Sequence, residues 1–158
     1  MSKLYFRSLK MKFLEIGPTD KKYIKQIIEI EKEAFGENGG VDEWILKPII
    51  RYGKTYILLL DEEVIGVAEY IRKFTGEEVF LYGISIKKGY RKHGYGKKIL
   101  KKSIEEFRKY NIKKITLTVS EENLEAIELY KKLGFKNQEY LKDEYGEGID
   151  RLFFVLEV

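Results

Sequence analysis

The chain has 158 residues, 44% of them hydrophobic, with 30 Lys and Arg against 26 Asp and Glu and a formal net charge of +4. That length suits one domain with a sizeable core and leaves little room for a second. With no cysteine and a single histidine, disulfides, a thiol nucleophile and thiolate metal sites are excluded and zinc is disfavoured. Charged residues make up 35% of the chain, and the Lys-, Glu- and Ile-rich mixture points to a heat-adapted source. No run approaches the ~20 apolar residues of a membrane span. A cytoplasmic protein, monomeric or homodimeric, is the default expectation.

Residues 1–10 read as an N-terminal extension, because MKFLEIGPTD from Met11 is a natural domain opening with an alternative start. Met11 to Ile16 alternates as a strand and Gly17-Pro18 stops it. Thr19 or Asp20 then caps a helix in which Ile24, Ile27, Ile28 and Phe35 recur at helical spacing. Gly36 to Gly40 breaks it before a short helix over Asp42 to Arg51, where Trp44 and the preceding Phe35 read as core or pocket wall. TYILLLD, a tight acidic turn and IGVAEYIRKF form two strands, and VFLYGISI a third. Beyond Gly96 the spacing of Ile99, Leu100, Ile104 and Phe107 predicts a helix, and KKITLTVS a strand. Asn123 to Leu133 is a second helix of this half, stopped by a left-handed Gly134. The tail forms two strands around DEYGEGID. The expected fold is a single α/β domain with a mixed, mostly antiparallel central sheet flanked by about four helices.

The segment IKKGYRKHGYGKKIL, Ile86 to Leu100, opens that helix with Gly94 and Gly96. Glycine inside a helix costs about 1 kcal/mol relative to alanine, so two of them imply a sharp turn or a close approach. From Lys87 to Lys102 there are eight Lys or Arg and no acid, which suits one compact polyanion. A strand running into such a loop and a helix start offers free amides and the positive end of the macrodipole to a phosphate. Neither the Walker pattern nor G-x-G-x-x-G is present, since Ile99 occupies the third glycine position of the latter.

What the segment matches is R-x-x-G-x-G, as Arg91-Lys92-His93-Gly94-Tyr95-Gly96, followed by a helix, the strand ITLTV and ENLEAIELYKKLGF. In that order the chain resembles the GNAT N-acetyltransferases from Met11 onward, most densely from Phe80 to Phe135. IEKEAF, ELYKKLGF and EYGEGIDRLFF are most similar to those of the ribosomal-protein and protein N-terminal α-amine acetyltransferases. The resemblance implies acetyl-CoA as cosubstrate, no metal, and a primary amine as acceptor, attacked directly in a ternary complex. It implies that the strand edge Ile84-Ser85-Ile86 pairs with the pantetheine amides. The amides of Arg91, Lys92, His93, Gly94, Tyr95, Gly96 and Lys97 would hold the pyrophosphate. Asn123 would touch the pantetheine arm and Tyr130 would protonate the leaving thiolate, while Phe35 and Tyr145 would meet the acceptor. Two bland readings stand beside these: Asn123 as an N-cap and Tyr130 as a core aromatic.

Two departures from the family pattern matter. Glu144 stands where a second tyrosine is common, and Leu117-Thr118-Val119 puts a threonine where a Glu or His general base is common. Neutralising a lysine at pH 7 costs about 3 kcal/mol more than neutralising an α-amine, so a site lacking a strong base suits α-amines. Glu69 is the substitute base by hypothesis, against an outward-facing strand carboxylate as the plain alternative. A polyamine or small-amine acetyltransferase and a non-catalytic CoA-binding regulatory domain are the alternatives within this fold. A nucleic-acid module stacking bases on Tyr90 and Tyr95 leaves the glycines without purpose, so neither nucleic acid nor membrane is an expected partner.

Overall fold

The computed structural model describes residues 9–36 and 40–158; of the expected N-terminal extension, residues 1–8 lie outside them. Seven strands form one sheet in the order β1-β2-β3-β4-β5-β7-β6. They are β1 (Met11–Glu15), β2 (Lys54–Leu60), β3 (Glu63–Arg72), β4 (Glu78–Ile86), β5 (Lys114–Val119), β6 (Lys136–Leu141) and β7 (Arg151–Glu157). Helices α1 (Lys21–Phe35) and α2 (Glu43–Tyr52) cover one face, and α3 (Tyr95–Lys109) and α4 (Leu124–Lys132) the other. No described helix is long and apolar enough to cross a membrane. The expected α/β fold, with a mostly antiparallel sheet and four helices, is the one observed.

The two faces carry separate apolar clusters. Ile99, Leu100, Ile104 and Phe107 of α3 meet Leu58, Ile65, Leu81 and Leu117 on one side. On the other, Ile24, Ile27 and Ile30 of α1 and Leu46 and Ile50 of α2 meet Ile57, Val64 and Val67. Burial at period 3.6 on the helices and period 2 on the strands is what lets one sheet serve both. The α1 face differs from the expected one: the buried residues are Ile24, Ile27, Ile30 and Glu31, whereas Phe35 closes the helix 55% exposed. Asp20 stands at the N-cap position without capping; its carboxylate accepts from the Gly17 amide at 2.7 Å instead. Asp42 does cap α2, accepting from Ile45 N at 2.9 Å. Trp44 is not core: the first turn of α2 turns it outward, 88% exposed, where it walls a surface pocket with Lys47, Pro48, Arg51 and Tyr52.

The sheet has one parallel neighbour pair, β4 with β5, and it is short: Glu78↔Lys114, Val79↔Ile115 and Phe80↔Thr116. Beyond Phe80 the strands part. Their outer partners continue, β3 along β4 as far as Ile86 and β7 along β5 as far as Val119, so the gap is a wedge inside an otherwise continuous sheet. Its cause lies one residue on. Glu69 pairs with Gly83 and Tyr70 with Leu81, leaving Tyr82 as the extra residue of a β-bulge, which bends and twists the strand that carries it. The residues on the gap side of β4 therefore keep unpaired backbone groups, an edge ready to accept an extended ligand.

Candidate active site

The wedge opens beside the segment of glycines. Arg91 Nε donates to the Ile86 carbonyl at 2.9 Å and pins the loop to the end of β4. Past a single 3-10 turn over Lys88–Tyr90 the backbone alternates, with Lys92 at φ 61° and Gly94 at φ 79° in the left-handed region. Successive amides in such a path point into one concavity and make an anion nest. None of the amides from Lys92 to Lys97 has an acceptor among the described residues; the first helical bond of α3 is Lys98 N to Gly94 O at 3.1 Å. The two glycines have different reasons. A Cβ at Gly94 would meet nothing, so its left-handed backbone is what favours glycine there. A Cβ at Gly96 would stand 3.4 Å from Leu129 Cδ2 and 3.9 Å from Ile86 Cγ1. Those two residues line a cleft of about 340 Å³ with Lys92, Gly94, Tyr95 and Lys97, so glycine keeps that cleft open.

His93 is exposed, with Nδ1 2.6 Å from the Arg91 carbonyl. Asn123 is the N-cap of α4, its Oδ1 accepting from Ala126 N at 3.2 Å, and its amide NH₂ has no partner among the described residues. Tyr90 and Tyr95 are not free stacking platforms: their rings pack edge to face, and Tyr90 OH donates to Glu63 Oε2 at 2.7 Å. On the α3/α4 side Tyr130 is buried against Phe135 and Phe154. Its hydroxyl makes no hydrogen bond among the described residues, and burial pushes its pKa up to about 12. It is a neutral hydroxyl at any physiological pH, able to donate a hydrogen bond or its proton to a group that becomes anionic beside it.

The opposite mouth of the wedge is built from β5 and the β6–β7 loop. Thr118 Oγ1 lies 3.0 Å from Tyr145 OH, so the threonine that replaces the expected base holds a loop tyrosine. That loop is tied within itself. Asp150 accepts from the Asp143 amide at 2.7 Å and from Tyr140 OH, Asp143 accepts from Gly148 N at 2.7 Å, and Arg151 stacks on the Tyr145 ring. These bonds, the Asp143 amide foremost, hold the Asp150 carboxyl below its usual range. Asp150→Ala therefore unties the loop that carries Tyr145: the expected result is faster hydrogen exchange of the Asp143 and Gly148 amides, read by mass spectrometry or NMR.

Glu69 is not outward-facing. It is fully buried on the α1/α2 face, where Glu31 joins it. Glu31 and Tyr82 are the polar neighbours that sequence reasoning missed; Ser85 was expected for its backbone edge, and its side chain donates to Glu31. Glu31 had a signal, for it stands four residues after Ile27 and seven after Ile24, on the apolar stripe of its own helix. Among the described residues no group of three His, Cys, Asp or Glu could hold a metal ion.

A wedge with a free strand edge and a nest of unpaired amides at one mouth is suited to an extended ligand that carries a phosphate. The chain belongs to the Acetyltransferase (GNAT) family, whose sequence profile matches residues 24–135, and it is accordingly an N-acetyltransferase. An N-alpha-acetyltransferase of Sulfolobus acidocaldarius is 28% identical over 144 residues, covering 80% of this chain and 82% of that relative. Among solved structures, Ard1 from Thermoplasma volcanium superposes with a TM-score of 0.82 at 19% identity, over 94% of this chain and 97% of that one. The NatC complex bound to Gag peptide and CoA superposes with a TM-score of 0.81 at 16% identity, covering 95% and 99%.

Proposed function

We propose that the protein transfers an acetyl group from acetyl-CoA to a protein N-terminal α-amine, by direct attack in a ternary complex. The observation that carries the donor is the run of amides from Lys92 to Lys97 with no acceptor among the described residues, beside a strand edge left open by the bulge. The amides take the pyrophosphate, assisted by Lys92 and Lys97 at the cleft wall, and Ile84, Ser85 and Ile86 offer their edge to the pantetheine amides. Asn123, through its spare NH₂, lies at the start of α4 for the same arm. Tyr130 gives its proton to the leaving sulfur. Acetyl-CoA supplies the activated acyl group; with no thiol in the chain the acceptor nitrogen itself is the nucleophile.

For the acceptor, support comes from the relative's name and from the site chemistry. Thr118 is no base, and its partner Tyr145 forms a wall suited to the first residues of a peptide, with Phe35 on the α1 side. An α-amine is the amine least costly to neutralise. The test measures CoA release with a free α-amine peptide, its N-blocked lysine counterpart and spermidine. Turnover confined to the first supports the reading. Turnover with lysine or spermidine moves the acceptor class, and silence from all three beside tight CoA binding leaves a cofactor sensor.

A further inference from the structure

Two carboxylates are buried against each other beside the open wedge, and no cation among the described residues lies between them. Glu31 of α1 is 1% exposed and Glu69 of β3 is 0% exposed. Glu31 accepts from Ser85 Oγ at 3.0 Å and from the Val41 amide at 3.2 Å. Among the described residues both oxygens of Glu69 lack a partner, and so does Oγ1 of Thr55, its neighbour across β2. On its other flank Glu69 pairs with Gly83, where a Cβ would stand 3.1 Å from Glu69 Oε2. The glycine of the bulge thus leaves this carboxyl room over β4, toward the wedge. Gly40 closes the opposite side, where a Cβ would stand 3.1 Å from Glu31 Oε2.

Tyr82 stands on β4, and Asp42 begins α2; burial and the charges of Tyr145, Glu69, Glu31 and Asp42 raise the Tyr82 hydroxyl. Among the described residues no Lys, Arg or His bonds to either acid. Two carboxylates so placed do not both ionise near neutrality. Burial first, then the charge of Glu31, pushes Glu69 well above the usual carboxylate range. Burial raises Glu31 as well, against the pull of Val41 N and Ser85 Oγ. A proton on Glu69 then has Glu31 to bond to, and the orphaned oxygens are explained.

We propose that Glu31 and Glu69 act as one group, a carboxyl–carboxylate pair sharing a single proton, which takes the proton of the acceptor's ammonium at the mouth of the wedge. The inference rests on the acetyl-transfer reading above. In the step, an N–H bond of the ammonium breaks and an O–H bond forms on the pair, which passes from one proton and one negative charge to two protons and none. The freed nitrogen bonds to the acetyl carbon and the carbon–sulfur bond breaks. Tyr130 protonates the sulfur and recovers its proton from the nitrogen, and the pair returns the first proton to solvent. The sequence reading of Glu69 alone as base is thereby altered: Glu69 holds the resting proton, and Glu31 holds the charge.

The test is kcat/KM against pH for a free α-amine peptide in the wild type, Glu31→Gln, Glu69→Gln and the double variant. CoA affinity is measured beside it. Each single variant is expected to lose about 100-fold in kcat and to shift its acid limb up toward the amine's own pKa near 8. The double variant is expected to be no worse than the weaker single, as for groups acting as a unit. Two readouts need no turnover. The wild type should show an infrared band of a buried protonated carboxyl that Glu69→Gln lacks. Its thermal stability should fall as pH rises from the unfolded carboxylate's pKa near 4.3 to the raised folded one, because only the folded state holds that proton. Glu69→Gln should flatten the fall. Multiplying losses in the double variant, an unmoved acid limb, or no carboxyl band would each overturn the pair. Should Glu31→Gln fail to fold, Glu69→Gln and the band decide by themselves. A wild type that acetylates no amine defeats the acetyl-transfer reading instead, while band and stability still report on the pair.

Discussion

Tyr130→Phe is expected to lower kcat by about 100-fold or more while leaving CoA affinity within about twofold. The substitution removes one oxygen and keeps the ring that packs on Phe135 and Phe154, so the core loses nothing it was using. What is lost is a hydroxyl that burial keeps protonated, with a pKa of about 12, and that has no partner of its own among the described residues. A leaving thiolate, whose conjugate acid titrates near 8.5 when unperturbed, would have to depart without a positioned donor. Steady-state turnover with calorimetry of CoA separates the two roles. An unchanged kcat would move the proton donor elsewhere. Weaker CoA binding at normal kcat would make the hydroxyl a binding contact and nothing more.

Gly96→Val is expected to raise the Kd for CoA by tenfold or more, about 1.4 kcal/mol, with a smaller effect on folding. The first methyl stem already meets Leu129 Cδ2 at 3.4 Å and Ile86 Cγ1 at 3.9 Å, and the branches enter the cleft those residues line. Gly94→Ala is the contrasting case. Nothing crowds its Cβ, so the cost is the left-handed backbone alone, about 1–2 kcal/mol, felt in stability and in the aim of the amides. Thermal melts and CoA titration of both variants resolve the difference. Equal effects on Kd and none on stability for Gly94→Ala would mean that the loop relaxes to another path.

Much of this was legible in the chain order. The glycines of KHGYG announced a nest at a helix start because a helix interior tolerates them poorly. The alternation of β1, the stripe of α3 and the Leu-Gly-Phe stop after α4 were local patterns, and each became the element expected. Where reading failed, the failure was of direction. Trp44 is large and apolar yet faces out, because α2 buries Leu46, Ile49 and Ile50 and its first turn points the other way. Glu69 read as an outward carboxylate or a lone base and is neither exposed nor alone.

The sequence by itself determined the class of fold, the anion nest and the absence of any thiol, since these depend on local periodicity, backbone freedom and composition. Only the tertiary structure decided what meets at the wedge. The bulge at Tyr82 parts β4 from β5, Thr118 finds Tyr145 across 27 positions, and Glu31 comes to lie on Ser85 across 54. Such partners are set by strand register and helix packing, which no window of sequence contains. The physical reason is the same for both acids: a carboxylate's protonation state belongs to its burial and its neighbours, and those exist only once the chain has folded.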